Sequence, residues 1–231
     1  MITAAAEESV LWLTITRPRA ANALDAATHD ALVAELQRAS ADDDVAAVVL
    51  QAAGDRVFCA GADLKEFSQI ASAQAALKRR ELLLRTLTAM LDFPKPLLAA
   101  VQAPAIGAGA MLALACDEIL MASDASLSFP EITLGLPSPM GVAMIAHRAP
   151  RQIVQRLVQL GQRLSAQDAL LAGLADQVVV PAELKAYCTA RAGDCAARAG
   201  HAYAVNKRWM HRELKRDLAD AANAATANQH L

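Results

Sequence analysis

Aromatic side chains are scarce in this sequence: Phe, Trp and Tyr make up only 3% of its 231 residues. Much of the packing must then come from Ala, Leu and Val, which suits stacked layers and subunit contacts better than a large cavity lined with rings. Neither charge is in excess, the net being −2. The broad basic face of a nucleic-acid binder is therefore missing. One basic cluster, Lys207 to Arg216, is interrupted by Glu213 and followed by Asp217 and Asp220, and reads as a solvated helix face. The four cysteines, Cys59, Cys116, Cys188 and Cys195, form no C-x-x-C pair. A chain of this length is also too long for a disulfide scaffold, which predicts reduced thiols in a cytoplasmic protein. Met1 to Glu8 has no basic start and no apolar centre, so no signal peptide is expected. Pro96 to Cys116 carries no charge and has the length of a membrane span. Pro96, Gln102, Pro104, Gly107 and Gly109 interrupt it, so it reads as a buried strand, loop and helix, with no membrane association. His201 and His211 lack metal-ligand spacing.

What remains is apolar: 55% of the residues are hydrophobic and 20% charged, enough to bury a sizeable core. Strands are predicted over 10–16, 46–51, 97–101, 118–122, 126–129 and 178–180. Asp25 is placed to cap a helix running to about Ala39, and Ser72 one running to Leu91, which Phe93-Pro94-Lys95-Pro96 ends. Ser165 to Asp168 is a capping-box pattern, with Gly173 closing the helix. From Pro181 onward the pattern is helical, with Gly193 and Gly200 as interruptions. Strands alternating with crossover helices predict an α/β fold with parallel pairing. The organisation expected is a core over 1–175 and a helical tail over 176–231.

Two loops carry the chemistry. Ala60-Gly61-Ala62 and Gly107-Ala108-Gly109 leave backbone N–H groups uncovered for an approaching oxygen. The second also opens a helix, where unpaired amides favour negative charge. Two such amides aimed at one oxygen would make an oxyanion hole. Pro130-Glu131 then supplies a carboxylate, which Phe129, Leu134 and Met111 should surround with apolar groups that raise its pKa. The bland alternatives are tight turns that need small residues and a glutamate that caps a turn or pairs with Arg148.

Together these segments resemble the enoyl-CoA hydratase/isomerase (crotonase) family from about residue 10 to 180. The resemblance rests on Arg17-Pro18 with Asn22-Ala23-Leu24, on Phe58 to Glu66, on Phe93 to Pro96 leading into Ala108 and Cys116-Asp117, and on Ser165 to Asp176. It implies a crotonase-like spiral of ββα units with a C-terminal helical tail, assembled as a homotrimer or dimer of trimers. It also implies an acyl-CoA thioester ligand and no cofactor beyond the coenzyme A moiety of the substrate. By position, the Ala62 and Ala108 amides match the family's oxyanion donors and Glu131 its acid/base. Arg19, Ala20, Ala60, Gly61, Asp63, Leu64, Lys65, Met111 and Leu134 fall at positions that resemble the substrate-binding segments. The departures steer the expected reaction. Met111 stands where hydratases of the family carry a first glutamate, and Leu136 to Gly141 replaces a glycine-rich turn whose amide helps to hold water. A single carboxylate suits a 3-enoyl-CoA to 2-enoyl-CoA isomerase. The alternatives are a hydratase or other lyase of this type, or a non-catalytic CoA-binding homologue.

Overall fold

The computed structural model describes residues 1–63 and 73–227. Its framework is a six-stranded sheet in the order β1-β2-β3-β4-β6-β9 beside a three-stranded sheet in the order β5-β7-β8. The large sheet comprises β1 (Ile2–Glu7), β2 (Val10–Ile15), β3 (Ala47–Ala52), β4 (Leu97–Val101), β6 (Glu118–Ala122) and β9 (Gln177–Val179). All its pairings are parallel except β1 with β2. β3, β4 and β6 are nearly continuous apolar runs because both of their faces are covered. The small sheet comprises β5 (Ala105–Ile106), β7 (Ser126–Ser128) and β8 (Arg163–Ser165). Cys59 extends it through a parallel bridge to Ala105.

After the antiparallel β1–β2 pair, both strands of which lie in the large sheet, the next turns of the chain lay one strand in the large sheet, a short segment in the small sheet, and then a helix. β4–β5 leads into α3 (Ala108–Leu114), and β6–β7 leads through a tight turn into α4 (Pro139–Ala146). This is the expected spiral of ββα units. α1 (Ala26–Ala41) and α2 (Ala73–Asp92) pack against each other. Asp25 caps α1 by accepting from the Thr28 amide at 2.8 Å. Ser165 caps α5 (Ala166–Leu171) by accepting from Asp168 N at 3.1 Å. The strand β9 carries the large sheet past residue 175, and the helical tail follows it.

That tail contains α6 (Leu184–Ala196), α7 (His201–Met210) and α8 (Arg212–Ala227). Gly193 lies inside α6 and does not break it; the burial of Cys188 and Ala192 on the inner face offsets the ~1 kcal/mol cost of a helical glycine. Gly200, with φ +147°, does start a new helix. The basic cluster departs from a solvated face at one residue. Lys207 is buried, its ammonium donating to Asp117 Oδ2 at 2.7 Å and to Lys95 O at 3.3 Å. Lys207→Ala leaves the largely buried Asp117 without its cation, with the Leu97 amide still donating to it at 2.8 Å, so a loss of about 3 kcal/mol is expected in chemical denaturation. The apolar stripe Trp209, Met210, Leu214, Leu218 also divides. The helix breaks at His211, so Leu214 and Leu218 turn into the chain's own core against α4 and α2. Trp209 and Met210 stay 67% and 72% exposed.

Candidate active site

Three successive turns of the spiral bring three loops to one place. They follow Cys59, β5 and β7, which lie side by side along the small sheet. Ile106 N donates to Cys59 O at 2.9 Å, and Gly107 N donates to Ser128 O at 2.8 Å. The loops at 60–62, 107–108 and 129–131 are therefore neighbours through backbone hydrogen bonds, whatever their side chains.

Glycine is required at the contacts. Gly61 has φ +87°, and a Cβ there would lie 2.8 Å from Ile106 O and 3.3 Å from Ala108 N. Gly109 packs against the backbone and side chain of Cys59, where a Cβ would fall 2.4 Å from the carbonyl oxygen. The first turn of α3 thus lies directly on the first loop. Leu24 N donates to Gly61 O and Asp63 N to Leu24 O, so the intervening Ala62 amide points to the opposite side. Among the described residues no acceptor takes the N–H of Ala62 or of Ala108, and Gly107 has no side chain to cap α3. Two uncommitted amides sit on adjoining loops.

Glu131 lies in the short 3₁₀ turn Pro130–Leu134. Its carboxyl occupies the space left by the missing Gly107 side chain, where a Cβ would be 2.6 Å from Glu131 Oε1. Oε2 is shielded from solvent and has no hydrogen-bond partner among the described residues. Burial is the main influence on this group and raises its pKa above the ordinary carboxylate range. Arg148 does not reach it. That guanidinium donates to Cys116 O at 2.5 Å and faces Asp176 at 3.8 Å. Met111 is buried one turn into α3, its amide bonded to Gly107 O at 3.0 Å.

The first loop is anchored from below. Arg17 binds Asp63 and Asp25, each at 3.0 Å, and donates to Ala23 O. Asn22 is fully buried; it donates to Ala53 O and Val57 O and accepts from Arg17 N. Asp63 is thereby tied to loop architecture. Composition alone does not reveal the Arg17–Asp63 clamp, although the Arg17-Pro18 and Phe58 to Glu66 motifs contain its two residues. Ala60 is half-buried with its amide bonded to Ala21 O at 3.0 Å. Arg19 is exposed and Ala20 half-buried on the turn before Asn22. Leu134 is 61% exposed. Leu64, Lys65 and the capping Ser72 lie outside the described residues.

A cavity of about 560 Å³ opens elsewhere, at the far end of α3, between Leu114, Asp117, Arg148, Tyr203, Lys207 and His211. Its charged groups satisfy one another or nearby carbonyls, and Glu131 does not line it. No described helix is long and apolar enough to cross a membrane.

The chain belongs to the enoyl-CoA hydratase/isomerase family, whose pattern matches residues 5–230. It is 37% identical over 177 residues to carnitinyl-CoA dehydratase of Proteus mirabilis, covering 76% of this chain and 67% of that one. It is 38% identical over 173 residues to 2,3-dehydroadipyl-CoA hydratase of Escherichia coli, covering 74% and 66%. The matches span about two thirds of the length of these relatives. A crystal structure of an enoyl-CoA hydratase/isomerase from Xanthobacter autotrophicus superposes with TM-score 0.88 at 28% identity, over 98% of this chain and 84% of that one. The family and the α/β spiral with its helical tail are those the motifs implied.

Proposed function

We propose that the protein binds an acyl-CoA thioester and isomerises 3-enoyl-CoA to 2-enoyl-CoA, with Glu131 as the only proton carrier. The thioester oxygen is held by the Ala62 and Ala108 amides. Glu131 takes the C2 proton, and the electrons pass into a dienolate on that oxygen. The same carboxyl returns the proton to C4 as the double bond moves to C2–C3. The observation that carries this reading is the buried, partly unpartnered Glu131 carboxyl against Gly107, beside the Ala108 amide. Its raised pKa places the acidic limb of the rate profile above the ordinary carboxylate range, because the base must be charged to accept a proton. The reading calls for no cofactor beyond the coenzyme A of the substrate. Free thiols at all four cysteines support a cytoplasmic setting.

The names of the two relatives favour a second reading, hydration or dehydration of an enoyl-CoA. Incubating the protein with 3-enoyl-CoA and 2-enoyl-CoA in parallel separates the two. Isomerisation consumes the first and forms no 3-hydroxyacyl product, whereas efficient hydration of the second would replace the isomerase assignment.

The proposed assembly is a homotrimer or a dimer of trimers. Trp209 and Met210 support it, since adjacent large apolar side chains this exposed mark a contact surface. Sedimentation at micromolar concentration is expected to give a trimer or its multiple. A monomer would overturn the assembly without touching the chemistry.

A further inference from the structure

Arg17 makes three contacts that close around one backbone pairing. The parallel bridge between Leu24 and Ala62 joins the turn that begins at Arg17 to the first loop. Leu24 N donates to Gly61 O at 2.8 Å, and Asp63 N donates to Leu24 O at 3.1 Å. The Arg17 guanidinium donates to Ala23 O, on the residue before Leu24. It also binds Asp25, the residue after Leu24, and Asp63, the residue after Ala62, each at 3.0 Å and through the same nitrogen. One side chain thus pins both sides of the bridge, at positions that flank the uncommitted Ala62 amide.

This clamp differs from a solvated ion pair. Asp63 is 8% exposed, and the side chains of Arg17 and Asp25 are each 21% exposed. Charges this far from water keep their places only while their partners are present. Without the guanidinium, the two carboxylates that share its nitrogen would face each other and repel. Asp25 is committed to α1, where its other oxygen accepts from Thr28 N at 2.8 Å and from Thr28 Oγ1 at 2.6 Å. The repulsion would therefore fall on Asp63. Asp63 follows Ala62 directly, so its displacement passes to the peptide that carries the Ala62 N–H.

We infer that Arg17 is a positioning residue for the oxyanion hole: acting through Asp63, it fixes the direction of the Ala62 N–H toward the thioester oxygen. The inference rests on the reading of Ala62 as an oxyanion donor. Such a donor works by being held in place before charge develops, so a free but misdirected N–H stabilises the transition state poorly.

The test uses acetoacetyl-CoA, a thioester that ionises to an enolate with no proton to be returned, and whose enolate is distinguished from the keto form by ultraviolet absorbance. The pH midpoint of enolate formation in the complex reads the oxyanion hole directly. Wild type is compared with Arg17→Met, Asp63→Asn and the double variant. Each single change is expected to raise the midpoint by about one pH unit, a tenfold loss set against the roughly 10²- to 10³-fold worth of a whole donor. In turnover, kcat should fall about tenfold with KM little changed. The double variant should match the single ones, since both changes remove the same contact. It also lacks the Asp25–Asp63 repulsion that threatens folding of Arg17→Met. A clamp that serves stability alone would lower the unfolding temperature and leave the midpoint, and the kcat of folded protein, at wild-type values. That result overturns the inference, as do single effects that multiply in the double variant. A wild type that does not favour the enolate relative to free acetoacetyl-CoA refutes the oxyanion hole itself, and the role of Arg17 with it. A midpoint that shifts as expected without turnover of 3-enoyl-CoA upholds Arg17 and sinks the isomerase assignment instead.

Discussion

Glu131→Gln is expected to lower turnover of 3-enoyl-CoA by roughly 10²- to 10⁴-fold, the usual worth of a general base. Binding of the thioester and thermal stability should change little. The amide matches the carboxyl in size, so the space against Gly107 stays filled. Glutamine also removes a charge that burial disfavours. The unfolding temperature is therefore expected to hold or rise slightly. The check is steady-state kinetics on matched folded protein together with thermal unfolding. Turnover within a few-fold of wild type would remove Glu131 from the chemistry.

The second large effect is expected from Ala108→Pro. Ala108 is the first residue of α3, a position where proline is well tolerated because its N–H has no partner within the helix. The substitution deletes one of the two free amides. Removal of one oxyanion donor costs about 3–4 kcal/mol in the transition state, or roughly 10²- to 10³-fold in kcat. The loss should fall on kcat more than on KM, since the charge on oxygen develops only during reaction. A change confined to KM would contradict the oxyanion role. Stability measured in parallel shows whether α3 still forms from its first residue in the variant; Ala108→Gly, which keeps the N–H, should retain activity.

Much of this site is written in local sequence, because its donors are backbone amides and need only small residues. Gly61, Gly107 and Gly109 mark the approaches directly, since a side chain at any of them would collide with a neighbouring loop. The strands of the large sheet are equally legible as apolar runs. Other features depend on contacts between distant residues. The strand β1 is rich in alanine, a poor strand former, and exists because each of its residues pairs with β2. Nothing near Lys207 signals that Asp117, far earlier in the chain, will bury it. The tail stripe looks continuous in sequence, but the break at His211 turns half of it inward. Ser138 stands at the N-cap of α4 without capping it, and Gly141 leaves the room its hydroxyl takes.

The central claim is that one carboxyl carries one proton from C2 to C4 of the substrate. 3-Enoyl-CoA bearing deuterium at C2 tests it directly, with the product position of the label read by NMR or mass spectrometry. The account predicts 2-enoyl-CoA with part of the deuterium recovered at C4, and no such product from Glu131→Gln. A 3-hydroxyacyl-CoA product, or isomerisation that proceeds equally well in Glu131→Gln, would contradict it.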